Sequence, residues 1–195
     1  MKKLLLSVIF ILLVIFSFAQ GWTSEQLNTA NTAKDVKELS NDEKEVVKYI
    51  NLCRLYPEDF SDIELKNYNG VPGIKDPSLK KYKASLMKEL ADLESLEPLV
   101  VHELLNGDAK CFANELSKYN RVGHERKECK GRRYAECLSF GNIKPRDIAL
   151  AWLIDSGVSS LGHRKNCLSA KYTKTGISIA PHKEYGNCAV AEFWF

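Results

Sequence analysis

The stretch TKTGISIA, residues 173–180, and the stretch AVAEFWF, residues 189–195, decide the fold class of this chain. In the first, Thr175, Ile177 and Ile179 alternate with small residues, which is the period of a β-strand with one buried face. The second is another β run, and a turn that contains Pro, Gly and Asn separates the two. The pattern predicts an antiparallel hairpin at the end of the chain.

Helical patterns precede this hairpin. Ser40 and Glu43 form a capping box, and Pro57 stops the helix that they begin. Apolar residues at three- and four-residue steps predict two more helices, and an apolar run after Pro145 predicts a buried fourth helix. The four helices are expected at about residues 40–56, 78–93, 104–116 and 148–154. Helices first and strands last indicate an α+β domain.

The N-terminus has the pattern of a secretory signal peptide. Two lysines precede an apolar run at residues 4–18, and Ala19 ends it with a small residue at a position that a signal peptidase recognises. We predict that residues 1–19 are removed and that the mature chain begins at Gln20. A membrane anchor is the alternative, but the run is shorter than the ~20 residues of a spanning helix and has no basic flank behind it.

The mature chain is expected to be one domain with almost no net charge. Cleavage leaves 176 of the 195 residues, which is enough for a single sizeable core. Of 28 basic residues 26 remain against 25 acidic ones, which excludes the strong field of a nucleic-acid-binding protein. Residues 20–39 are polar and aperiodic and predict a loose leader before the domain at 40–195. The charged stretch 121–133 is interpreted as a solvated loop.

Six cysteines remain in the mature chain, at positions 53, 111, 129, 137, 167 and 188. An even number in an exported chain favours disulfides, and we expect at most one free thiol. As an alternative, Cys53 and Cys111 would be buried free thiols, because they lie on apolar helical faces. The pairing stays open among 15 arrangements. The sequence contains no CxxC motif, which disfavours a zinc site of the cysteine type.

Two histidines and two carboxylates stand out as candidates for chemistry. His124 and His163 each follow a glycine in a polar loop, and Glu136 and Asp155 lie in apolar surroundings. Together they could ligate a zinc-like ion or act as an acid and base, and ordinary buried hydrogen bonding is the alternative. The other histidines, His102 and His182, are expected to be solvated.

A series of motifs then identifies a family resemblance. In chain order they are Gly-His124-Glu-Arg, Ala-Glu136-Cys-Leu-Ser-Phe-Gly, Ala-Trp152-Leu-Ile-Asp155-Ser, Gly-His163-Arg-Lys-Asn-Cys-Leu, Tyr172-Thr-Lys-Thr-Gly176-Ile-Ser-Ile-Ala and Val190-Ala-Glu-Phe193. This order resembles the CAP superfamily, the extracellular domain of cysteine-rich secretory and plant pathogenesis-related proteins, and looks like its bacterial branch. The helix with Ile50-Asn51-Leu-Cys-Arg54 resembles the opening helix of that domain. The resemblance covers roughly residues 40–195.

The resemblance implies a three-layer α-β-α sandwich with a cleft of two histidines and two acids, which binds a divalent metal in some members. By position, His124, Glu136, Asp155 and His163 match that set, and His163 and Glu136 are the candidates for any catalysis. This chain departs from the family motifs at Cys137, where Asn is usual, and at Asp155, where many relatives carry Glu. The first departure would fit a disulfide, and the second shortens the reach of the carboxylate.

The resemblance implies a secreted or cell-envelope protein without a membrane span after processing. A module that binds an extracellular lipid, sterol or protein is the first hypothesis, and nucleic acid is not expected. The alternative is a secreted, peptidase-like hydrolase that uses the same cleft, with Ser156, Ser159 or Ser160 near His163 as nucleophile. The chain has no Gly-x-Ser-x-Gly elbow to support it. A disulfide-stapled shell without a ligand is a third hypothesis.

Overall fold

A computed structural model describes residues 21–130 and 134–195 and shows an α+β domain. Its helices are α1 (Ser24–Ala30), α2 (Asn41–Leu55), α3 (Pro57–Phe60), a short π-helix (Ser61–Leu65), α4 (Leu79–Ala91), α5 (Glu103–Tyr119), α6 (Pro145–Ile154) and α7 (Gly162–Cys167). Its strands are β1 (Val100–Val101), β2 (Ala135–Phe140), β3 (Lys174–His182) and β4 (Gly186–Trp194). The signal peptide predicted at residues 1–19 lies outside the described residues.

The four strands form one sheet in the order β1-β3-β4-β2. Strands β3 and β4 are antiparallel, as the alternating pattern predicted, and β1 joins β3 in parallel. Strand β2 pairs antiparallel with β4 at the edge of the sheet, and its register sets Glu136 opposite Glu192. The C-terminal hairpin is therefore confirmed, and it forms the centre of the sheet.

Helices cover both faces of this sheet, which confirms the three-layer architecture. On one face, α5 contributes Phe112 and Leu116 to a cluster with Leu138 and Val190. On the other face, α2 and α6 pack apolar side chains, Trp152 among them, against the remaining sheet residues. Because successive residues of a strand point to opposite faces, the even-numbered residues of β2 and β4 face α5 and the odd-numbered ones face α2 and α6.

Gly176 on β3 permits the close approach of α5 to the sheet. A Cβ atom at this position would lie 2.1 Å from the carbonyl carbon of Leu105 and 2.2 Å from the backbone nitrogen of Asn106. These neighbours are backbone atoms of a helix and have little freedom to move away. Only glycine therefore fits at this contact.

Helix α2 connects the layers through polar side chains as well as apolar ones. The predicted capping box is present, since Ser40 and Glu43 bond each other's backbone N–H. Glu43 also accepts a hydrogen bond from the backbone N–H of Ile179 at 2.8 Å, which attaches the helix to β3. Arg54 is fully buried and donates to the carbonyl oxygens of four residues, Glu97, Cys167, Ser169 and Tyr172.

The segment before α2 is ordered, and the prediction of a loose leader was wrong for residues 21–39. Helix α1 begins at a capping box of Thr23 and Gln26, and Ala30 and Ala33 are fully buried. The amide of Asn51 donates to the Ala30 carbonyl at 3.1 Å and so holds the segment on α2. Its buried residues are small and few, which explains why the sequence showed no apolar period there.

The cysteines do not behave as their even number suggested. One disulfide joins Cys111 to Cys129, and the other four cysteines are buried free thiols. The expectation of at most one free thiol is therefore wrong for this structure, and so is the alternative of Cys111 as a buried thiol. Cys53 is a buried free thiol. Four thiols in the core act as small apolar residues, a role that cysteine parity cannot reveal.

Candidate functional site

The loop after α5 carries His124 and is fixed at several points. Helix α5 ends at Asn120, which adopts a left-handed conformation with φ 49° and turns the chain back along the helix. The disulfide from Cys111 ties the end of the loop, Cys129, to α5. The loop thus returns along the helix that covers one face of the sheet.

The carboxylate of Glu115 on α5 holds the same loop through its backbone. It accepts hydrogen bonds from the N–H groups of Lys127, Glu128 and Cys129, the last two at 2.8 Å. Burial alone would raise the pKa of the Glu115 carboxyl, but these three hydrogen bonds outweigh it and hold the pKa below its usual value. Glu115 is only 3% exposed, so the loop is anchored to a buried charge.

The loop sets two cationic side chains beside two carboxylates of the sheet. Nδ1 of His124 lies 2.6 Å from Oε1 of Glu136. The guanidinium of Arg126 contacts both Glu136 and Glu192, and its carbon lies 4.0 Å from the ring centre of Phe112 on α5. Glu136 and Glu192 are neighbours because the register of β2 and β4 sets them directly opposite on the α5 face. We call these four residues, His124, Arg126, Glu136 and Glu192, the histidine–arginine cluster.

The two carboxyls of this cluster differ in charge. Burial and the neighbouring Glu136 raise the pKa of Glu192 to about 9, so Glu192 carries a proton at neutral pH. Burial acts on Glu136 in the same direction, but hydrogen bonds with His124, Glu192 and Arg126 lower its pKa, and it stays ionised. The hydrogen bond with Glu136 raises the pKa of His124. The Glu136 carboxylate is therefore balanced by a permanent guanidinium, and the imidazole beside it is protonated more readily than that of an ordinary histidine.

Asp155 and His163 form a second pair on a different layer. Asp155 ends α6 in a left-handed conformation with φ 56°, and its Oδ1 lies 2.7 Å from Nδ1 of His163. Its Oδ2 accepts the backbone N–H of His163 at 2.9 Å and that of Arg164 at 3.3 Å. These N–H groups belong to the first turn of α7, whose own N-cap residue makes no side-chain bond. Asp155 therefore caps α7 although it lies seven residues before that helix in the chain, and it orients the His163 imidazole.

The Glu136 side chain and helix α7, which carries His163, lie on opposite faces of β2. Glu136 faces α5, whereas its neighbour Cys137 faces α7 and contacts the backbone carbonyl oxygen of His163 with its Sγ at 3.7 Å. The amide of Asn166 on α7 donates to the backbone carbonyl of Glu136 at 3.1 Å. The structure thus brings His124 to Glu136 and His163 to Asp155.

A divalent ion shared by all four residues does not fit this arrangement. In residues 21–130 and 134–195, no three His, Cys, Asp or Glu side chains are grouped so as to hold a metal. Arg126 already supplies a positive charge to the Glu136 carboxylate of the first pair. In the second pair, both oxygens of Asp155 are engaged by His163 and by the start of α7. The four residues therefore form two separate hydrogen-bonded pairs.

Three contributors to the site were missed at the level of sequence. Arg126 lies in the stretch interpreted as a solvated loop, but its side chain is 13% exposed and forms two ion pairs. Glu192 and Glu115 are buried acids on β4 and α5. Because side chains alternate along β4, Glu192 lies on the same face as Cys188 and Val190. This alternation was the signal that could have identified Glu192 as a buried acid.

The prediction of a solvated His182 was wrong. The side chain is buried, and its Nε2 lies 3.0 Å from the carbonyl oxygen of Arg121 at the start of the histidine loop. Its ring meets the ring of Phe140 edge-on at 5.5 Å. His182 therefore supports the loop from the end of β3.

One of the three serines predicted as possible nucleophiles, Ser156, is engaged by another side chain. Ser156 donates its hydroxyl to Asp76 at 2.9 Å, at the edge of a cavity of about 240 Å³. Tyr68, Leu79 and Phe140 are among the residues that line this cavity. Two further cavities that Tyr68 also lines have volumes of about 570 and 430 Å³, which lie within the range of roughly 300–1,000 Å³ that is typical of sites for drug-sized ligands.

The chain has similarities to a known family and to a solved structure. A family model described as "CAP: Cysteine-rich secretory protein family" matches residues 93–195. No curated protein matches the chain. Among solved structures, the chain is similar to an outer surface protein from Borrelia burgdorferi, with 20% identity, coverage of 59% of this chain and 86% of that chain, and a TM-score of 0.40.

Proposed function

Because the chain belongs to the CAP family of cysteine-rich secretory proteins, we propose that it is an exported CAP module that binds an extracellular ligand. The signal-peptide pattern at residues 1–19 and the disulfide between Cys111 and Cys129 support export to an oxidising compartment. No helix in the described part of the chain is long and apolar enough to cross a membrane. The expected location is the extracellular space or the cell envelope.

The observation that supports a binding surface is the fixed loop that presents His124. A disulfide, the Glu115 carboxylate and the Arg126–Phe112 contact hold this loop to α5. The His124 side chain is nevertheless 59% exposed. A polar side chain held rigidly at the surface loses little conformational entropy when a ligand binds, which favours recognition.

The chemistry of the histidine–arginine cluster favours a polar ligand. Nδ1 of His124 is engaged by the Glu136 carboxylate, so Nε2 of the neutral ring is the nitrogen that can accept a hydrogen bond from a ligand. A backbone N–H or a hydroxyl of a peptide or protein would donate this hydrogen bond. The cavities that Tyr68 lines, of about 240, 430 and 570 Å³, make a sterol or a lipid the alternative ligand, which the vesicle and cholesterol arms of the experiment below test.

A hydrolase is the second candidate, and the Asp155–His163 pair is the observation that favours it. A carboxylate bonded to Nδ1 fixes the tautomer in which Nε2 can accept a proton, as a general base requires. The hydroxyl of Ser156 is bonded to Asp76 and is not directed at this base. A hydrolase would therefore need His163 to activate another nucleophile, which would be Ser159, Ser160 or water.

One experiment separates the two functions. The mature chain is incubated with a library of soluble peptides, with phosphatidylcholine vesicles, with immobilised cholesterol and with fluorogenic ester and peptide substrates. We expect peptides to be retained without turnover, and we expect His124→Ala to lose this retention. The matched control is His102→Ala, since His102 lies at the start of α5 and makes no side-chain capping bond.

Two outcomes would contradict the proposal. Equal retention of peptides by wild type and His124→Ala would place the binding surface elsewhere. Turnover that His163→Ala abolishes and His124→Ala preserves would establish the hydrolase instead.

A further inference from the structure

Three of the four free thiols lie at one junction of the core. Cys53 on α2, Cys137 on β2 and Cys167 on α7 are each fully buried, and they belong to the same apolar cluster. Cys188, the fourth, lies on the opposite face of the sheet and contacts the carbonyl of Ala113 on α5. The proposed ligand site uses none of these thiols.

Cys137 and Cys167 are the closest associates within this trio. Sγ of Cys137 lies 3.7 Å from the carbonyl oxygen of His163, and Cys167 follows His163 by one helical turn on the same face of α7. The side chain of Asn166 reaches across to the same sulfur at 3.8 Å. Both side chains are fully buried where α7 packs against β2, and burial together with the neighbouring Cys167 thiol raises the pKa of the Cys137 thiol.

Cys53 approaches the pair from the third element. The next residue, Arg54, donates to the carbonyl oxygen of Cys167 at 2.7 Å, which joins α2 to the end of α7. Burial, and to a lesser degree the neighbouring Cys167, raises the pKa of the Cys53 thiol. Among the described residues, the Cys137 sulfur contacts His163 and Asn166 of α7 and forms no hydrogen bond with Cys53, so we treat Cys53 as the unpaired thiol of the three.

The two cysteines of the pair lie 30 positions apart in the chain, in segments that become neighbours only through the packing of α7 on β2. An isolated cysteine at one position would be no more than a small buried residue.

We propose that Cys137 and Cys167 form a second disulfide when the chain folds in an oxidising compartment, with Cys53 and Cys188 left as thiols. The oxidant is a small-molecule disulfide such as oxidised glutathione. The thiolate of one cysteine attacks the oxidant and releases one glutathione thiol. The second cysteine attacks the mixed disulfide and releases the other, so two cysteine thiols and one oxidant give one protein disulfide and two glutathiones.

The bond forms before the core closes. Burial raises the pKa of the Cys137 thiol well above its usual value, and it has the same effect on Cys53. A buried, protonated thiol is a poor nucleophile, so the folded, reduced protein reacts slowly. Once formed, the bond is equally shielded from reductant.

The test uses the mature chain refolded with oxidised and reduced glutathione, denatured and alkylated with N-ethylmaleimide. Each cysteine of interest lies in a separate tryptic peptide, residues 49–54, 134–146, 166–171 and 184–195. We expect labels on Cys53 and Cys188, and a reducible cross-link between peptides 134–146 and 166–171. Cys188 serves as an internal control, because it lies on the other face of the sheet.

Two single variants and one double variant test the proposed bond separately, so the proposal can still be refuted if one of them folds poorly. Cys53→Ser and Cys188→Ser are expected to keep the 137–167 cross-link. Reductant should lower the urea midpoint of the oxidised wild type more than that of Cys137→Ser/Cys167→Ser, in which only Cys111–Cys129 can be reduced. Labels on all four cysteines after refolding, or a cross-link from Cys53 to either partner, would overturn the proposal. This test does not depend on the ligand or on export.

Discussion

Replacement of Glu115 by Gln tests whether one buried carboxylate holds the histidine loop. The carboxylate accepts three backbone N–H groups, and each hydrogen bond to a charged group contributes about 1.5–3 kcal/mol. The amide keeps one oxygen and turns an NH₂ group toward the remaining donors, so at least one N–H loses its acceptor. We expect Glu115→Gln to lower the free energy of unfolding by about 2–4 kcal/mol at pH 7.

Urea unfolding at several pH values measures this effect and its electrostatic origin. With a denaturant slope of about 2 kcal/mol per molar, the midpoint should fall by about 1–2 M. Because the folded-state pKa of Glu115 is below its usual value of 4.5, its contribution is present above that pH and is lost as pH falls through the folded pKa. The difference between wild type and variant should therefore shrink below about pH 4.5.

Glu128→Gln is the matched control for this prediction. Glu128 belongs to the same loop but is exposed, and its carboxylate pairs with Lys118 at the surface. We expect this variant to unfold at the wild-type urea concentration. An unchanged midpoint for Glu115→Gln at pH 7, or a difference that stays constant down to about pH 3, would refute the role assigned to the buried carboxylate.

Two further predictions concern the sheet and the histidine–arginine cluster. Gly176→Ala should destabilise the protein by about 3 kcal/mol or more in urea unfolding, since the new Cβ would lie 2.1 Å from the backbone of Leu105; a wild-type midpoint would mean that α5 does not pack there. Arg126→Ala should bind zinc at least roughly tenfold more tightly than wild type in calorimetric titration at about pH 7.5, because it removes the cation that competes for the Glu136 carboxylate beside an imidazole. Restoration of weak binding by an added His124→Ala would assign the gain to this cluster, and equal affinity of wild type and Arg126→Ala would contradict the reasoning.

The elements with a strong local signal were predictable from the sequence. Strand β3 showed its alternation, and α2 showed its capping box and the proline that follows it. Strand β2 was not predicted, because six residues with Glu, Cys and Ser have no clear period and become a strand only by pairing with β4. Helix α7 was missed for a related reason, since its N-terminal cap comes from Asp155, outside the helix.

The four candidate residues of the site were predictable from the sequence, but their division into two pairs was not. Motif order identified His124, Glu136, Asp155 and His163, and the structure joins the first two and the last two. The guanidinium that neutralises the carboxylates could not be predicted, because its partners depend on which residues β2 and β4 set opposite each other. Register is a property of the folded sheet, and two acids far apart in sequence give no sign of it.

The division of the pairs by β2 determines how their roles can be separated. His124 is positioned by α5 through Glu115 and the disulfide, whereas His163 is positioned by α6 and α7 through Asp155. The two sets share no hydrogen bond among the described residues beyond the backbone of β2, where Asn166 bonds the carbonyl of Glu136. A substitution in one set therefore leaves the geometry of the other in place. Ligand binding at His124 and any proton transfer at His163 can for this reason be tested separately. A loss of binding or of turnover in one variant can be assigned to the pair that the variant changes.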